Sequence, residues 1–419
     1  MKTTRRDFVK AAGAGVIGAT LVQNSVLGEA PAPAVSAPKP WDVAVIGSGV
    51  FGAWTAWHLA QKGRRVVLLD AYGPGNARAS SGGTTRVIRM GYGDKEIYTR
   101  WSMRSLGLWK SLFEPVGRPS LFQQAGVLWM ARPEDPLTTQ TLATLQRVGV
   151  VHERLNRAEL ESRWPQIDFG ANTWAIYEPE SGFLVGFHAV QATVQMAQVA
   201  GAEFIQEAVL PPQGKGRLDS ITTKSGTTIS AGTFVFACGP WLPKVFPDLL
   251  GDRIFPTRQE VYFFGPAPGD KRFSGPAMPV WADFAEEMYG IPDFKGRGFK
   301  VALDRHGPAF DPDTGSRILN PDTLATVRNF VARRFPALKD APLVGNEVCQ
   351  YENTSNGDFL IDRHPERDNV WLVGGGSGHG FKHGPAVGEY VAARILEGGP
   401  VETRFSLATK EKVQKRAVY

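Results

Sequence analysis

The feature that most constrains the fold is a short apolar run, residues 43–46, followed at once by a glycine-rich turn. Three glycines of this turn have the spacing GxGxxG: Gly47, Gly49 and Gly52. Residues 53–61 are typical of a helix, and residues 64–69 are typical of a second strand that ends at Asp70. This order is typical of a βαβ unit that binds a dinucleotide: a strand, a glycine turn, a helix, a second strand and an acidic residue. The alternative is a glycine turn that arose by chance, which accounts for none of the flanking elements.

Each glycine of this turn has a physical reason to be there. Gly47 allows the tight turn, Gly49 lets a pyrophosphate approach the backbone, and Gly52 lets the helix pack closely on the strand. The start of the helix offers free N–H groups and a positive dipole end to the pyrophosphate. Asp70 is placed to accept hydrogen bonds from the adenosine ribose. We therefore expect a dinucleotide to bind at this turn.

Length and composition limit the class of protein. A chain of 419 residues, 42% hydrophobic and 21% charged, is typical of a folded protein with two domains. The net charge of +6 lies partly in the first 34 residues and is too small to indicate nucleic-acid binding. The seven histidines lack the spacing of a zinc site, so we expect no metal. The two cysteines, Cys238 and Cys349, are too few for a disulfide framework.

Residues 1–37 are predicted to be an export signal and linker, separate from the fold. Arg5 and Arg6 precede a weakly apolar run, residues 11–22, and a proline-rich stretch follows. This order resembles a twin-arginine signal and predicts that the twin-arginine export machinery carries the protein to the periplasm or otherwise out of the cytoplasm. The run is too short for a stable membrane span. The alternative is a chance arginine pair in a disordered leader.

A small, hydroxyl-rich loop leads into two arginines. Ser80 and Thr85 lie in a stretch whose small side chains would let it pass close to a flat cofactor and donate hydrogen bonds to it. Arg86 and Arg89 follow, three residues apart, and would share one face if the segment were helical. The alternative is a solvated basic turn.

Two later segments repeat the pattern of a buried strand that ends on glycine. The run 233–237 precedes Gly239, and the strand 370–373 runs into a glycine-rich turn and a helix over residues 385–396. We expect the backbone of both turns to contact the cofactor, through Gly239 in the first and Gly376, Gly378 and Gly380 in the second. Between these segments, residues 251–345 are rich in prolines, aromatics and short alternating runs, which predicts an antiparallel sheet. Residues 121–130 are predicted to form one strand.

With these blocks in hand, the chain resembles the D-amino-acid oxidase superfamily of flavoproteins, and within it the branch of monomeric sarcosine oxidase and N-methyltryptophan oxidase. The resemblance covers nearly the whole chain after residue 37. It rests on GSGVFG at 47–52, SSGGTTRVIR at 80–89, YGIP at 289–292, Lys300 followed by DPDT at 311–314, VCQYE at 348–352 and SGHGFK at 377–382.

The resemblance implies a fold of class α/β + α+β, in which a discontinuous, Rossmann-like FAD-binding domain adjoins a substrate domain with a mixed or antiparallel sheet. We predict that the FAD-binding domain comprises residues 38–122, 184–250 and 346–400. The substrate domain would comprise residues 123–183 and 251–345, and residues 401–419 would form a C-terminal tail.

The resemblance also implies the cofactor contacts. Gly47, Gly49, Gly52 and Asp70 would bind the ADP half of FAD, and Ser80, Thr85 and Arg86 would line the flavin. Cys349 matches the cysteine that is bonded covalently to the flavin in this branch. Two alternatives for Cys349 remain open, a buried thiol and a disulfide with Cys238 that an oxidising compartment would permit.

On the substrate side, Arg89 and Lys382 match the two cations that hold the substrate carboxylate. Lys300 matches the lysine that promotes reaction with oxygen, and Tyr289 and Tyr351 match aromatic residues of the substrate pocket. Taken singly, Lys300 also fits a surface lysine and Lys382 a charge at a helix start.

The chain departs from sarcosine oxidases at two places. Ser81 and Gly82 stand where those enzymes have a histidine pair, and Asp304 stands where they have a pocket histidine. If Asp304 faces the pocket, it favours a substrate with an extra cation or hydrogen-bond donor, which puts sarcosine itself in doubt.

The expected reaction is the oxidation of a secondary amine or amino acid by a monomeric enzyme, with hydride transfer to the flavin and then reduction of O2 to hydrogen peroxide. One alternative is a dehydrogenase of the same fold that passes electrons to a quinone or carrier. Another, of a different class, is a catalytically silent, exported flavoprotein that serves as a binding module.

Overall fold

The computed structural model describes residues 39–415. The predicted export signal and linker, and the last four residues of the predicted tail, lie outside the described residues. Within residues 39–415 no helix combines the length and the apolar composition that crossing a bilayer requires.

Eighteen strands form three sheets within the described residues. In chain order they are β1 (Trp41–Ile46), β2 (Val66–Leu69), β3 (Thr85–Ile88), β4 (Phe122–Gln123), β5 (Val127–Ala131), β6 (Glu153–Asn156), β7 (Trp174–Glu178), β8 (Gly182–Val185), β9 (Glu203–Ile205), β10 (Ser220–Thr222), β11 (Thr228–Phe236), β12 (Ile254–Phe264), β13 (Val280–Asp283), β14 (Met288–Ile291), β15 (Phe299–Leu303), β16 (Leu343–Thr354), β17 (Leu360–His364) and β18 (Arg367–Gly374).

Nine α-helices accompany these strands in the same part of the chain. They are α1 (Val50–Gln61), α2 (Glu96–Phe113), α3 (Pro136–Val148), α4 (Arg157–Arg163), α5 (Gly186–Val199), α6 (Leu242–Val245), α7 (Pro247–Leu250), α8 (Pro321–Arg334) and α9 (Gly384–Glu397).

The first sheet has the order β17-β18-β11-β1-β2-β9, with β10 paired to β11. The five strands from β18 to β9 in this order are parallel, and β17 joins at the edge antiparallel to β18. The chain leaves β1 toward β2 on one side, whereas β11 lies on the other side. Strand order therefore reverses at β1, which is where open parallel sheets bind ligands, beyond the carboxyl ends of the strands.

The second sheet has eight strands in the order β16-β12-β15-β14-β13-β5-β7-β6 and is antiparallel except for the β13–β5 pair. A third, small sheet pairs β8 with β3 and β4. Parallel and mixed sheets with helices confirm the predicted class, α/β combined with α+β.

Local structure differs from the sequence-based expectations at two places. Residues 121–130 are not one strand, because a turn with Gly126 in the left-handed region separates β4 from β5. The segment with Arg86 is the strand β3, so Arg86 and Arg89 do not share a helical face. The predicted domain boundary at residue 346 falls inside β16, which pairs with β12 along its length. The domain division stays a prediction.

Candidate active site

The glycine turn between β1 and α1 has no room for a side chain at Gly47 or at Gly52. Gly47 has φ +105°, and a Cβ there would lie 2.3 Å from the carbonyl oxygen of Ala237. A Cβ at Gly52 would lie 1.8 Å from the carbonyl oxygen of Gly47. Strand β1 and the residue after β11 therefore approach each other in a way that only glycine permits.

Asp70 has a structural task that the sequence did not reveal. Its carboxylate accepts hydrogen bonds from the backbone N–H groups of Ser48 at 2.7 Å, Tyr72 at 2.8 Å and Gly73 at 2.9 Å. A carboxylate has about four acceptor sites. Asp70 therefore orders both loops around it and keeps capacity for a ribose hydroxyl.

A long cleft with a cavity volume of ≈ 330 Å³ runs along the carboxyl edge of the first sheet. Ten of the twelve predicted cofactor-binding residues line it: Gly47, Gly49, Asp70, Ser80, Arg86, Gly239, Cys349, Gly376, Gly378 and Gly380. Gly52 instead packs within the turn, and Thr85 faces a neighbouring cavity. The fold thus brings together residues that lie as much as 333 positions apart in the sequence.

The cleft fits a dinucleotide by its shape and its polar groups. The glycine turn exposes backbone at its wall, and the start of α1 points an anion-binding dipole end at it. Ser81 Oγ accepts a hydrogen bond from the Val50 N–H at 3.1 Å, so Ser81 fixes the start of the helix. The buried Ser80 Oγ has no hydrogen-bond partner within residues 39–415, and a cofactor would supply one.

Cys349 and Cys238 are both free thiols on the wall of the cleft. Cys349 Sγ lies 3.6 Å from Arg86 Nη2 and 3.7 Å from the carbonyl oxygen of Ser80. Cys238 Sγ lies 3.5 Å from the carbonyl oxygen of Ile46, and burial raises the pKa of this thiol well above its usual value. The two thiols are not joined, so the structure does not contain the disulfide between Cys238 and Cys349.

A second, smaller cavity of ≈ 70 Å³ collects the predicted catalytic residues. All six line it: Arg89, Tyr289, Lys300, Asp304, Tyr351 and Lys382. They come from β14, β15 and β16 of the second sheet, from the end of β3, and from the turn that precedes α9. Sequence reasoning named these residues, but only the packing of β3 and this turn against the second sheet makes them neighbours.

Arg89 and Lys382 form a buried pair of cations. Arg89 is 5% exposed, and its guanidinium carbon lies 4.5 Å from the ring centroid of Tyr92 and 4.7 Å from that of Trp129. Lys382 is 4% exposed and donates to Tyr92 Oη at 2.8 Å and to the carbonyl oxygen of His379 at 3.0 Å. Burial, and then the charge of Arg89, hold the pKa of Lys382 well below its usual value. Two adjacent buried cations favour an anionic ligand.

Lys300 is a buried lysine, not a surface one. It is 2% exposed, and its Nζ donates to the carbonyl oxygen of Thr85 at 3.0 Å. Burial and the nearby Arg86 lower the pKa of Lys300 from 10.5 to about 8. At neutral pH this side chain therefore carries a positive charge, which a modest rise in pH would remove.

Glu347 is a site residue that sequence reasoning missed. Its carboxylate accepts from the hydroxyl and the N–H of Thr84, and its charge partly counters the lowering of the Lys300 pKa. The missed signal is alternation along β16, because Glu347 lies two residues before Cys349 and so faces the same side of the strand.

Asp304 faces the smaller cavity. It is 7% exposed and accepts a hydrogen bond from Tyr351 Oη at 3.2 Å. Burial, and then the charge of Asp304, raise the pKa of Tyr289 well above its usual value. The charge of Asp304 also raises the pKa of Lys382, against the effects of burial and Arg89, so the cavity wall carries an acid as well as two cations.

The family model "FAD dependent oxidoreductase" (DAO) matches residues 42–394. A monomeric sarcosine oxidase of Bacillus sp. (strain B-0618) is 31% identical over 397 residues, which cover 90% of this chain and 99% of that protein. An N-methyl-L-tryptophan oxidase of Salmonella arizonae (strain ATCC BAA-731 / CDC346-86 / RSK2980) is 28% identical over 380 residues, 86% of this chain and 96% of that protein.

Among solved structures, L-proline dehydrogenase from P. horikoshii superposes with a TM-score of 0.76 at 23% identity, over 88% of this chain and 98% of that one. At this identity the likeness shows the fold alone. The two sequence relatives confirm the resemblance to the sarcosine oxidase and N-methyltryptophan oxidase branch. On the extent of the family match, this chain belongs to the FAD dependent oxidoreductase family.

Proposed function

We propose that this protein is an FAD-dependent oxidase of a secondary amine or amino acid that reduces O2 to hydrogen peroxide. The observation that carries the proposal is a wall shared by the cleft and the smaller cavity, formed by Arg86, Tyr289, Tyr351, Gly378 and Phe381. A cofactor along the cleft therefore ends beside the cation pair. The names of the relatives, sarcosine oxidase and N-methyl-L-tryptophan oxidase, agree with this chemistry.

Arg89 and Lys382 would hold the carboxylate of the substrate. An unpaired charge buried next to a flavin costs several kcal/mol, so a carboxylate there needs cations. Both cations are already fixed by their neighbours, Arg89 by aromatic rings and Lys382 by Tyr92 and His379. The clamp is thus preorganised, and substrate binding relieves the repulsion between the two cations.

Tyr289, Tyr351 and Asp304 would form the opposite side of the substrate site. A carboxylate on this side attracts a cation or a hydrogen-bond donor carried by the substrate in addition to the reacting amine. We therefore propose a substrate with a further cationic or donor group, in preference to sarcosine. The substrate would react as the neutral amine, and no side chain of the cavity is required to act as a strong base.

Lys300 would act in the step with oxygen. FAD, when bound, supplies the acceptor for two electrons. Reduction of O2 develops negative charge, and a fixed positive charge beside it lowers the barrier of that step. Lys300 lies on the wall of the substrate cavity, next to Arg86, which borders both cavities. The roles of all these residues are proposals that the variants below test.

We also propose that Cys349 holds the flavin covalently, as a thioether. Cys349 lies on the wall of the cleft, with its Sγ 3.6 Å from Arg86 Nη2, so the sulfur borders the space that the flavin would occupy. A covalent bond would keep the cofactor from dissociating outside the cell. Export through the twin-arginine system to the periplasm, and action as a monomer, complete the proposal. The motif that supports export lies outside the described residues.

The decisive experiment is an anaerobic screen of N-methyl, cyclic and cationic amino acids, read as bleaching of the flavin absorbance. We expect one of them to bleach the flavin, and admission of air to restore the colour with formation of hydrogen peroxide. Bleaching that is reversed by a quinone or dye but not by air would support the dehydrogenase instead. A flavin that no amine bleaches would support the silent binding module.

A further inference from the structure

One buried carboxyl group on the wall of the cleft has no part in the function proposed above. Glu352 lies near the end of β16 and is 8% exposed. Its Oε1 accepts a hydrogen bond from the Gly376 N–H at 3.3 Å. Its Oε2 has no hydrogen-bond partner within residues 39–415. Buried polar atoms of this kind are rare and call for an explanation.

Three glycines make room for this carboxyl group. A Cβ at Gly239 or at Gly374 would lie 3.6 Å or 3.2 Å from Oε2, and a Cβ at Gly376 would lie 3.2 Å from Oε1. Gly374 ends β18, Gly376 lies two residues after it, and Gly239 lies three residues after β11, the neighbouring strand of the first sheet. The second sheet thus places an acid of β16 at the carboxyl edge of the first sheet, where the cofactor cleft lies.

Without a donor, the position is unfavourable for a charged carboxylate. Burial raises the pKa of Glu352 from 4.5 to about 7, although the N–H groups of Gly376 and Gly375 oppose the rise. An acid that is buried without a partner on the wall of a ligand cleft is suited to receive a hydrogen bond from the ligand.

The order of groups along the cleft identifies the part of FAD that lies here. The pyrophosphate belongs at the start of α1, where a second anion would repel it, and the adenosine belongs at Asp70. The flavin ring belongs at the other end, with Cys349 and Tyr289. Cys238 contacts the carbonyl oxygen of Ile46, directly before the glycine turn, and the next residue, Gly239, adjoins Glu352 Oε2. Glu352 also follows Cys349 by three residues in β16, so it lies between the two ends. The ribityl chain joins pyrophosphate and ring, and it carries hydroxyl donors.

We propose that Glu352 is a further cofactor-binding residue, whose Oε2 accepts a hydrogen bond from a hydroxyl group of the ribityl chain of FAD. The inference rests on FAD as the cofactor and not on the identity of the amine. Glu352 belongs to the second sheet, whereas the glycine turn belongs to the first. The contact therefore makes cofactor binding depend on both sheets.

The test measures the binding of FAD in a Cys349→Ser background, in which the cofactor exchanges freely. Apoproteins with and without Glu352→Ala are titrated with FAD, followed by quenching of its fluorescence. We expect Glu352→Ala to weaken FAD binding by roughly 10- to 100-fold, the range for a hydrogen bond to a charged group. Glu352→Gln keeps the shape of the side chain and an acceptor oxygen, so we expect it to reduce the affinity for FAD less than Glu352→Ala does. Glu366→Gln, which removes an exposed carboxylate outside the cleft, should leave the affinity unchanged.

Analogues of FAD that lack single ribityl hydroxyls distinguish a direct contact from a structural effect. We expect that one of the 2′-, 3′- and 4′-deoxy analogues binds equally to the proteins with and without Glu352, because the contact is already absent. Unchanged affinity for FAD would overturn the proposal, and so would an equal loss with FAD and all three analogues. Circular dichroism of the apoproteins verifies folding, and if Glu352→Ala does not fold, Glu352→Gln decides. No amine or oxygen takes part, so the outcome is independent of the proposed oxidase activity.

Discussion

At the scale of residues, Arg89 and Lys382 are proposed to bind the substrate carboxylate. We expect Lys382→Met to raise KM for a carboxylate substrate by roughly 10- to 100-fold, since a charged hydrogen bond contributes about 1.5–3 kcal/mol. Thermal stability should be kept, because the variant removes a buried cation that Arg89 repels. Steady-state kinetics and thermal melts measure both effects, with the exposed Lys110→Met as the control. A normal KM in Lys382→Met and in Arg89→Met would refute the clamp.

The lowered pKa of Lys300 predicts how the oxygen step depends on pH. Below a pKa of about 8 the side chain is charged, and above it the charge is lost. The rate of cofactor reoxidation should therefore fall as pH rises through about 8, or somewhat higher if negative charge on the cofactor stabilises the cation. In Lys300→Met the rate should be low and independent of pH, while cofactor reduction by the amine changes little. Stopped-flow absorbance separates the two half-reactions, and equal slowing of both would rule out the role in the oxygen step.

Asp304 is expected to select the substrate. Asp304→Asn keeps an acceptor for the Tyr351 hydroxyl but removes the negative charge. We predict that kcat/KM falls for substrates with a second cation and is kept, or rises, for those without one. The ranking of a panel of amino acids by kcat/KM measures this. An unchanged ranking would show that Asp304 does not contact the substrate.

At the scale of elements, the join of β1 and α1 depends on glycine for steric reasons. Gly52→Ala would place a Cβ 1.8 Å from the carbonyl oxygen of Gly47, so we expect loss of FAD and of soluble protein. Gly107→Ala is the matched control, since Gly107 is exposed in α2 and a Cβ there meets no atom within 4 Å. That change should stabilise the protein by about 0.5–1 kcal/mol, because alanine favours a helix. Flavin content and thermal melts of both variants report the contrast.

At the scale of the whole molecule, Cys349 would tie together a cofactor bound on the first sheet and a strand of the second. When the wild-type protein is precipitated with acid, we expect the yellow colour to remain in the pellet. The pellet of Cys349→Ser should lose the colour, whereas that of Cys238→Ser should keep it. Melting temperature should fall in Cys349→Ser, since a bond that prevents dissociation also stabilises the folded state. If acid precipitation released the yellow colour from wild-type protein made with ample FAD into the supernatant, the thioether would be refuted.

Local patterns in the sequence determined the elements and the chemistry of the cofactor turn. An apolar run, three spaced glycines and an acid define a βαβ unit because strand, turn and helix propensities act over a few residues. Motifs such as SGHGFK at 377–382 likewise carried the resemblance that named the clamp and the oxygen lysine. The family, the fold class and the helices α1 and α9, predicted over residues 53–61 and 385–396, were therefore predictable from the chain alone.

Only the tertiary structure decided which of these residues meet. The placement of β16 in the second sheet, the second task of Asp70 and the acid Glu347 beside Lys300 depend on pairings between distant segments. The same holds for Glu352, which can lie on the wall of the cleft because the glycines at the ends of two neighbouring strands leave space for its carboxyl group. The pairing of distant strands leaves little trace in the local sequence, since any strand that alternates apolar and polar residues can pair with many others. Burial and charge, which set the pKa values of Lys300, Lys382 and Glu352, arise only once the sheets have packed.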